Sequence, residues 1–303
     1  MNRTHTYLLM LLALLAASCI RDDLEPCPPL NIMLSIEDKN YDNVATIEGL
    51  TGLTLAEPED QPFRHYIQRL YYTLYRVDTR EAVITKRLHD VQGDAAMATV
   101  YDIPADLPYG DYALVVWGNI DSDEGIQGDY GGIYDLHAGN VEGYDVYHGL
   151  LRFTYDEYNG SFICPLQRVK GQLLILTEGL PAGINWSRKA VTGLSGEATY
   201  DGSYTDGEVE TVVTTRSWGT DVTNPRSETV LAPTADGHSS TLYVRFYDHE
   251  DMQTPAIEPD ALTGVDMQRN RITPVKYVFD NGKVYIYTLV DDSWKLTHGM
   301  GIE

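Results

Sequence analysis

The chain is short of cysteine, of basic residues and of long apolar runs, and each shortage excludes a class of protein. Three cysteines in 303 residues exclude a disulfide-dense miniature scaffold. Their wide spacing also excludes a zinc finger or ribbon, which needs close ligand pairs. Lysine and arginine number 22 against 45 aspartates and glutamates, a formal net charge of −23. So acidic a chain, with no basic stripe, repels phosphate backbones and is no nucleic-acid binder. No apolar run reaches the roughly 20 residues of a membrane-spanning helix. Motifs for chemistry are equally scarce. The histidines at 5, 65, 89, 137, 148, 238, 249 and 298 form no His-x-x-x-His pair. Gly193–Glu197 lacks a nucleophile elbow, because Glu197 stands where glycine is required. Phosphate-cradling glycine loops are missing, and carboxylates are too numerous to single out a hydrolase pair. The expectation is a protein that is not an enzyme, with no cofactor and no metal. Asp121-Ser122-Asp123-Glu124-Gly125 resembles half a calcium loop without its late bidentate glutamate, and reads as an acidic turn with weak calcium binding as the alternative.

What is present begins at the N-terminus. A basic start at Arg3 and an apolar run from Tyr7 to Ala17 have the length and flanks of a signal-peptide core. The run ends in Leu15-Ala16-Ala17-Ser18-Cys19, small residues before a cysteine that look like a bacterial lipobox. Residues 1–18 are therefore expected to be removed as a signal peptide and Cys19 to carry lipid, placing the chain on the outer membrane of a Gram-negative-type envelope. Several acyl chains on one cysteine hold firmly where one holds only marginally. Ile20 is not the aspartate of inner-membrane retention. Arg21, Asp22 and Asp23 resemble the surface-export signal of Bacteroidetes lipoproteins, within a lipidated linker of residues 19–29. With Cys19 lipidated, Cys27 and Cys164 are an even remainder in an oxidising compartment. They read as a disulfide closing a long loop, worth on the order of 4–5 kcal/mol in the chain-entropy model, with two buried thiols as the alternative.

The rest reads as strands. Tyrosine reaches 22 residues, and valine and threonine are common. Leu70–Tyr75, Ala82–Leu88, the near-continuous apolar Asp111–Trp117, Leu150–Tyr155 and Ser161–Leu166 make one set. Strands around Leu173–Thr177, Leu242–Tyr247, Tyr277–Phe279 and Lys283–Val290 make a second. Asn159-Gly160 and Asn281-Gly282 signal tight hairpins. Gly128–Gly149, rich in Gly, Tyr and Asp, reads as a long loop with one helical turn. The fold class is all-β: two tandem β-sandwiches, residues 30–166 and 167–303.

The segment Cys19–Leu30 (CIRDDLEPCPPL) resembles the opening of the FimB-like fimbrial anchor lipoproteins of Bacteroidales. Leu107–Asn119, Leu166–Val169 leading to Gly179-Leu180-Pro181, and Lys283–Val290 followed by Trp294 fit the same pattern in order. The resemblance implies two transthyretin-like sandwiches, a place at the base of a surface fimbria (a type V pilus), and contact with the basal stalk subunit by strand addition. It implies that the chain keeps its lipid and is not cut, since about a dozen residues separate Cys19 from the first expected strand, Asn31–Ile36. Leu296–Glu303 carry no strand signal, so no donor role is assigned to them. The alternative is a surface lipoprotein that binds carbohydrate or another ligand for an outer-membrane uptake system. Its signature would be coplanar aromatics on an open face, with Trp186, Trp218 and the tyrosines of 128–147 as candidates.

Overall fold

The computed structural model describes residues 29–128, 130–205, 209–219 and 222–302. The first nine strands are β1 (Asn31–Ile36), β2 (Arg69–Arg76), β3 (Ala82–Asp90), β4 (Ala98–Thr99), β5 (Gly110–Gly118), β6 (Ile126–Gln127), β7 (Gly132–Ile133), β8 (Tyr147–Tyr155) and β9 (Ser161–Arg168). All but the β6–β7 hairpin join one sheet in the order β3-β2-β5-β8-β9-β1-β4. β8 and β9 touch only at Tyr147↔Arg168 and His148↔Gln167, then diverge. That splay folds the sheet into a four-stranded and a three-stranded layer. Tyr72, Leu74, Leu114 and Val116 of one layer meet Ile32, Leu34, Cys164 and Leu166 of the other in a common core.

Divergence of β8 and β9 corrects the hairpin expected at Asn159-Gly160. The loop is instead held by the Asp156 carboxylate, which accepts from the Tyr158 and Asn159 amides. The cause lies outside the local sequence: β9 gives six of its eight residues to β1, in parallel register from Asn31↔Ser161 to Ile36↔Leu166.

The remaining strands are β10 (Gly171–Glu178), β11 (Trp186–Ser195), β12 (Val209–Ser217), β13 (Arg226–Leu231), β14 (Ser240–Tyr247), β15 (Leu262–Val265), β16 (Ile272–Asp280), β17 (Lys283–Val290) and β18 (Ser293–Gly301). They form a five-stranded sheet, β13-β10-β16-β17-β18, and a four-stranded one, β12-β11-β14-β15. A second core lies between them, around Leu173, Val191, Leu242, Phe246, Tyr277 and Ile286. The Asn281-Gly282 hairpin forms as expected: φ of 48° and 72° are the left-handed values a two-residue turn needs, and Asp280 faces Lys283. β18 corrects the reading of Leu296–Glu303 as strandless. It pairs with β17 after a second tight turn, Asp291-Asp292, at φ 50° and 54°. Its side chains are mostly exposed, so they carry no apolar alternation for a sequence reading to detect.

β5 is buried on both faces, as its unbroken apolar run requires. Its outer face, with Val115 and Trp117, is covered by the segment 119–146, which holds β6, β7 and 3-10 turns at Asp123–Gly125 and Ala138–Asn140. The Trp117 indole donates to the Gly131 carbonyl at 2.8 Å. Val169, Ala198 and Ala232 close the same layer from the other side. A second connection is the strap after β1. Helix α1 (Val44–Thr51) ends at Gly52, whose left-handed φ of 70° lets its amide reach the Glu48 carbonyl. The helix lays Ile47, 0% exposed, on Leu174 and Ile272 of the five-stranded sheet. A short helix α2 (Phe63–Tyr66) precedes β2.

Candidate functional site: the first strand, the junction and the strand edges

β1 supplies the direction of the molecule. Ile32 and Leu34 are 0% exposed, so the chain's first described strand is a central part of the core. It enters at Asn31, whose amide donates to the Gly160 carbonyl beside the loop 156–160. It leaves where the Glu37 amide meets the Leu166 carbonyl, at the end where the second sandwich begins. The Asn31 end of β1 and the second sandwich therefore lie at opposite ends of the first. About a dozen residues from Cys19 to Asn31 reach ~40 Å at full extension, so a lipid on Cys19 would keep the Asn31 end close to the membrane.

The junction is built on buried charge. Arg168, 5% exposed, donates through Nε to Asp145 Oδ2, through Nη1 to Asn270 Oδ1 and through Nη2 to the Tyr147 hydroxyl, each at 2.7 Å. Its guanidinium lies 4.2 Å from the Tyr41 ring centroid. Asn270 passes the connection on, donating to Asp42 Oδ1 at 2.8 Å. The Asn43 side chain exchanges two hydrogen bonds with the Ile272 backbone, both 2.8 Å, as a strand neighbour would. Gly171 is sterically required here: an added Cβ would sit 2.1 Å from the Gln268 carbonyl oxygen. The segment 119–146 completes the lock. Glu142 pairs with Arg216 at 2.5 Å and accepts from the Val230 amide at 2.9 Å. His137 Nε2 accepts from the Ala232 amide at 2.9 Å, and burial lowers the ring's pKa to about 3, so the imidazole is a neutral acceptor.

Two lysines in this region are buried. Lys170, 0% exposed, donates to the Glu142 carbonyl. Lys189, 2% exposed, points between the second pair of sheets and bonds Ser227. Burial lowers Lys170 to about 8; burial and then the Arg216 charge lower Lys189 to about 7. The folded chain then binds fewer protons than the unfolded one between those values and the ordinary lysine pKa of about 10.4, so stability rises with pH across that window. Above about pH 10 the buried Tyr41 and Tyr147, whose pKa values burial raises, reverse the trend. The thermal midpoint is expected to climb from about pH 7 to about pH 9.5. Lys189→Met should raise stability near pH 6 by on the order of 2 kcal/mol and flatten the climb. A parent midpoint unchanged across that range would contradict this.

Two of the long sheet edges, β3 and β13, are guarded. Edge strand β3 is capped by Asp123, whose Oδ2 accepts from the Leu88 amide at 3.2 Å while Arg87 holds both carboxylate oxygens. The acidic turn at 121–125 is thus a cap on a strand edge, and its central carboxylate is already occupied by an arginine. Edge strand β13 has its Val230 amide taken by Glu142 and its Glu228 carbonyl taken by Arg216, and just past its end the Ala232 amide is taken by His137. The turn 138–140 lies against β12, the neighbouring edge of the other sheet. Capped edges do not recruit stray strands.

The other expected site residues fall as follows. Cys19, Arg21, Asp22, Asp23 and Cys27 lie outside the described residues. Cys164 is a free cysteine among the described residues, 0% exposed, and burial raises its pKa to about 12. Its place is the core face of β9, beside Leu34 of β1. No group of three or more metal-ligating side chains occurs among the described residues. The aromatic candidates do not stack as a platform. Tyr75 and Tyr130 meet at 81°, Tyr130 and Tyr200 at 44°. Trp218 packs on the second core and donates to the Ile184 carbonyl, and Tyr147 is buried. The junction network escaped the sequence reading because its partners lie up to about 230 positions apart.

No protein-family profile and no curated protein matches this chain. Solved structures do. A candidate adhesin from Bacteroides ovatus is similar at 15% identity and TM-score 0.53, covering 92% of this chain and 97% of that one. The chain shares its fold. A candidate polysaccharide-binding protein from Bacteroides thetaiotaomicron is similar at 7% identity and TM-score 0.52, over 87% and 99% of the two chains. The fimbrial anchor protein Mfa2 from Porphyromonas gingivalis also matches, at 14% identity and TM-score 0.43 over 90% and 97%.

Proposed function

We propose that this chain is a non-enzymatic outer-membrane lipoprotein that anchors a surface fimbria through lipid on Cys19, with its two sandwiches, 30–166 and 167–303, linking that lipid to the basal pilin. The observation that carries the reading is the polarity of the molecule. The strand nearest Cys19 enters the far end of the first sandwich and is locked into its core, and the second sandwich projects from the opposite end. Pull applied to the second sandwich would pass through the buried junction into β1 and so to the lipid. The fold shared with a candidate adhesin supports a role at the cell surface. With Ile32 and Leu34 sealed in the core, the first sandwich has no vacant seat at β1 for a neighbour's strand, which suits a terminal subunit at the base.

Carbohydrate binding is the second reading, prompted by the fold shared with the polysaccharide-binding candidate. The edge-on and tilted tyrosines weigh against it, because sugar faces stack on flat, open aromatic platforms.

Replacing Cys19 with alanine is expected to move the protein from the outer-membrane fraction to the medium and to shed fimbriae with it. Fimbriae retained at parental levels in that strain would sink the anchor reading.

A further inference from the structure

We infer that the open edge of β18 is the docking site for one extended strand of the next subunit. The inference rests on the anchor reading and identifies the surface that reading needs.

Hydrogen bonding shows which peptide groups are free. The Ile302 amide donates to the Gly282 carbonyl, and Lys283 faces Gly301, so bonded and non-bonded pairs alternate from that end. The two-residue turn Asp291-Asp292 sets the alternation at the other end, with Val290 opposite Ser293. One register shift, opposite Ile286 and Tyr287, reconciles the two. The N–H and C=O groups of Trp294, Leu296, Gly299 and Gly301 therefore face away from β17. Among the described residues nothing bonds them, in contrast to β3, whose Leu88 amide is taken by Asp123, and to β13, whose Val230 amide and Glu228 carbonyl are taken by Glu142 and Arg216. β18 is also as long as the edges β3 and β12, nine residues each, of which β3 is capped by Asp123 and β12 has the turn 138–140 against it, whereas β4 and β15 have two and four residues.

A row of unpaired peptide groups along a straight edge is matched by one kind of partner, another extended backbone. Side chains favour a strand from a different chain. Ser293–Gly301 contains no aspartate or glutamate in a chain of net charge −23, and carries Lys295 and His298. A neutral strand meets no repulsion along it, whereas a second copy would bring its own Lys295 and turn aspartates to the same edge. Leu296, 56% exposed, and Trp294 lie on the outer face of the sheet, where alternate apolar residues of the added strand would cover them. The edge belongs to the second sandwich, beyond the junction from the lipid, where an incoming subunit has access.

Leu296→Pro tests the edge directly. It deletes one outward N–H and sets a ring where the partner's carbonyl must approach, yet breaks no bond to β17. Lys295 before it is already in an extended strand, as a residue preceding proline must be. The variant is expected to stay folded and membrane-bound while fimbriae retained on cells fall about tenfold or more, the loss of roughly 1.4 kcal/mol or greater in docking. Leu296→Lys leaves the backbone intact, adds a charge at the edge, and should lower retention in the same direction; it decides the matter if the proline variant does not fold. Full retention in a folded Leu296→Pro strain, with shedding by Cys19→Ala, overturns the docking edge alone. Full retention in both overturns the anchor reading beneath it. Sedimentation of the purified protein adds a third arm: a dimer that Leu296→Pro abolishes would assign the edge to self-pairing and overturn the inference.

Discussion

Arg168→Ala is expected to cost about 3–5 kcal/mol of folding stability, the usual penalty for removing one partner of a buried ion pair. The cost arises from what is left behind. Asp145 loses its only side-chain cation within hydrogen-bond distance, and its Oδ1 already has no hydrogen-bond partner among the described residues. Burial then holds the Asp145 carboxyl above the ordinary carboxylate range with less charge to oppose it. Asn270 and the Tyr147 hydroxyl lose a donor as well. Replacing both charges, as in Arg168→Met with Asp145→Leu, should recover a large part of the loss, because two apolar groups leave no bare charge. Denaturant melts of the two single variants and the double variant measure the coupling, and hydrogen exchange at 41–47 and 268–272 reports whether the halves loosen. A loss below about 1 kcal/mol in Arg168→Ala would show that the junction is held by its apolar layer alone.

Leu34→Ala is expected to cost about 2–5 kcal/mol and to lower the midpoint by about 5–15 °C. Leu34 is 0% exposed and sits between Cys164 of β9 and Ala98 of β4. Truncating it opens a cavity in a strand held on one side by a full parallel ladder and on the other by two residues. The functional effect would exceed the thermodynamic one. On the proposed anchor reading, β1 would be the link between a lipid on Cys19 and both sandwiches, so fraying it should expose the chain near 31–40 to protease while a lipidated Cys19 stays in the membrane. Limited proteolysis of membrane fractions, followed by identification of the fragment left on the lipid, reads this out. Parental protease resistance together with a parental midpoint would contradict this role for β1.

Both predictions concern features that a linear reading reached only in part. Asp111–Trp117 announced a doubly buried strand through its unbroken apolar run, and Asn281-Gly282 announced its turn through the positive φ both positions require. Those signals are local, and the structure bears them out. The Asn159-Gly160 signal had the same form and gave a different result, because β9 found its long partner in β1, about 130 positions away. β18 was missed for the opposite reason: an exposed edge strand has no buried face and leaves no alternation. Asp123 read in sequence as part of an acidic turn, with weak calcium binding as the alternative, and in space it is an edge cap held by Arg87 and the Leu88 amide.

The amino-acid sequence by itself determined that this chain folds as β-sandwiches, where its buried strand and its tight turn fall, and that neither a zinc motif nor a phosphate loop is present. Such properties depend on residues within a few positions of one another. Tertiary structure alone decided that β1 inserts between β9 and β4, that Arg168 ties the two halves together, and that β18 keeps an open edge where β3 and β13 are capped. Each of these is a pairing between groups tens to hundreds of positions apart, and residue spacing carries no record of which distant backbone or charge will arrive.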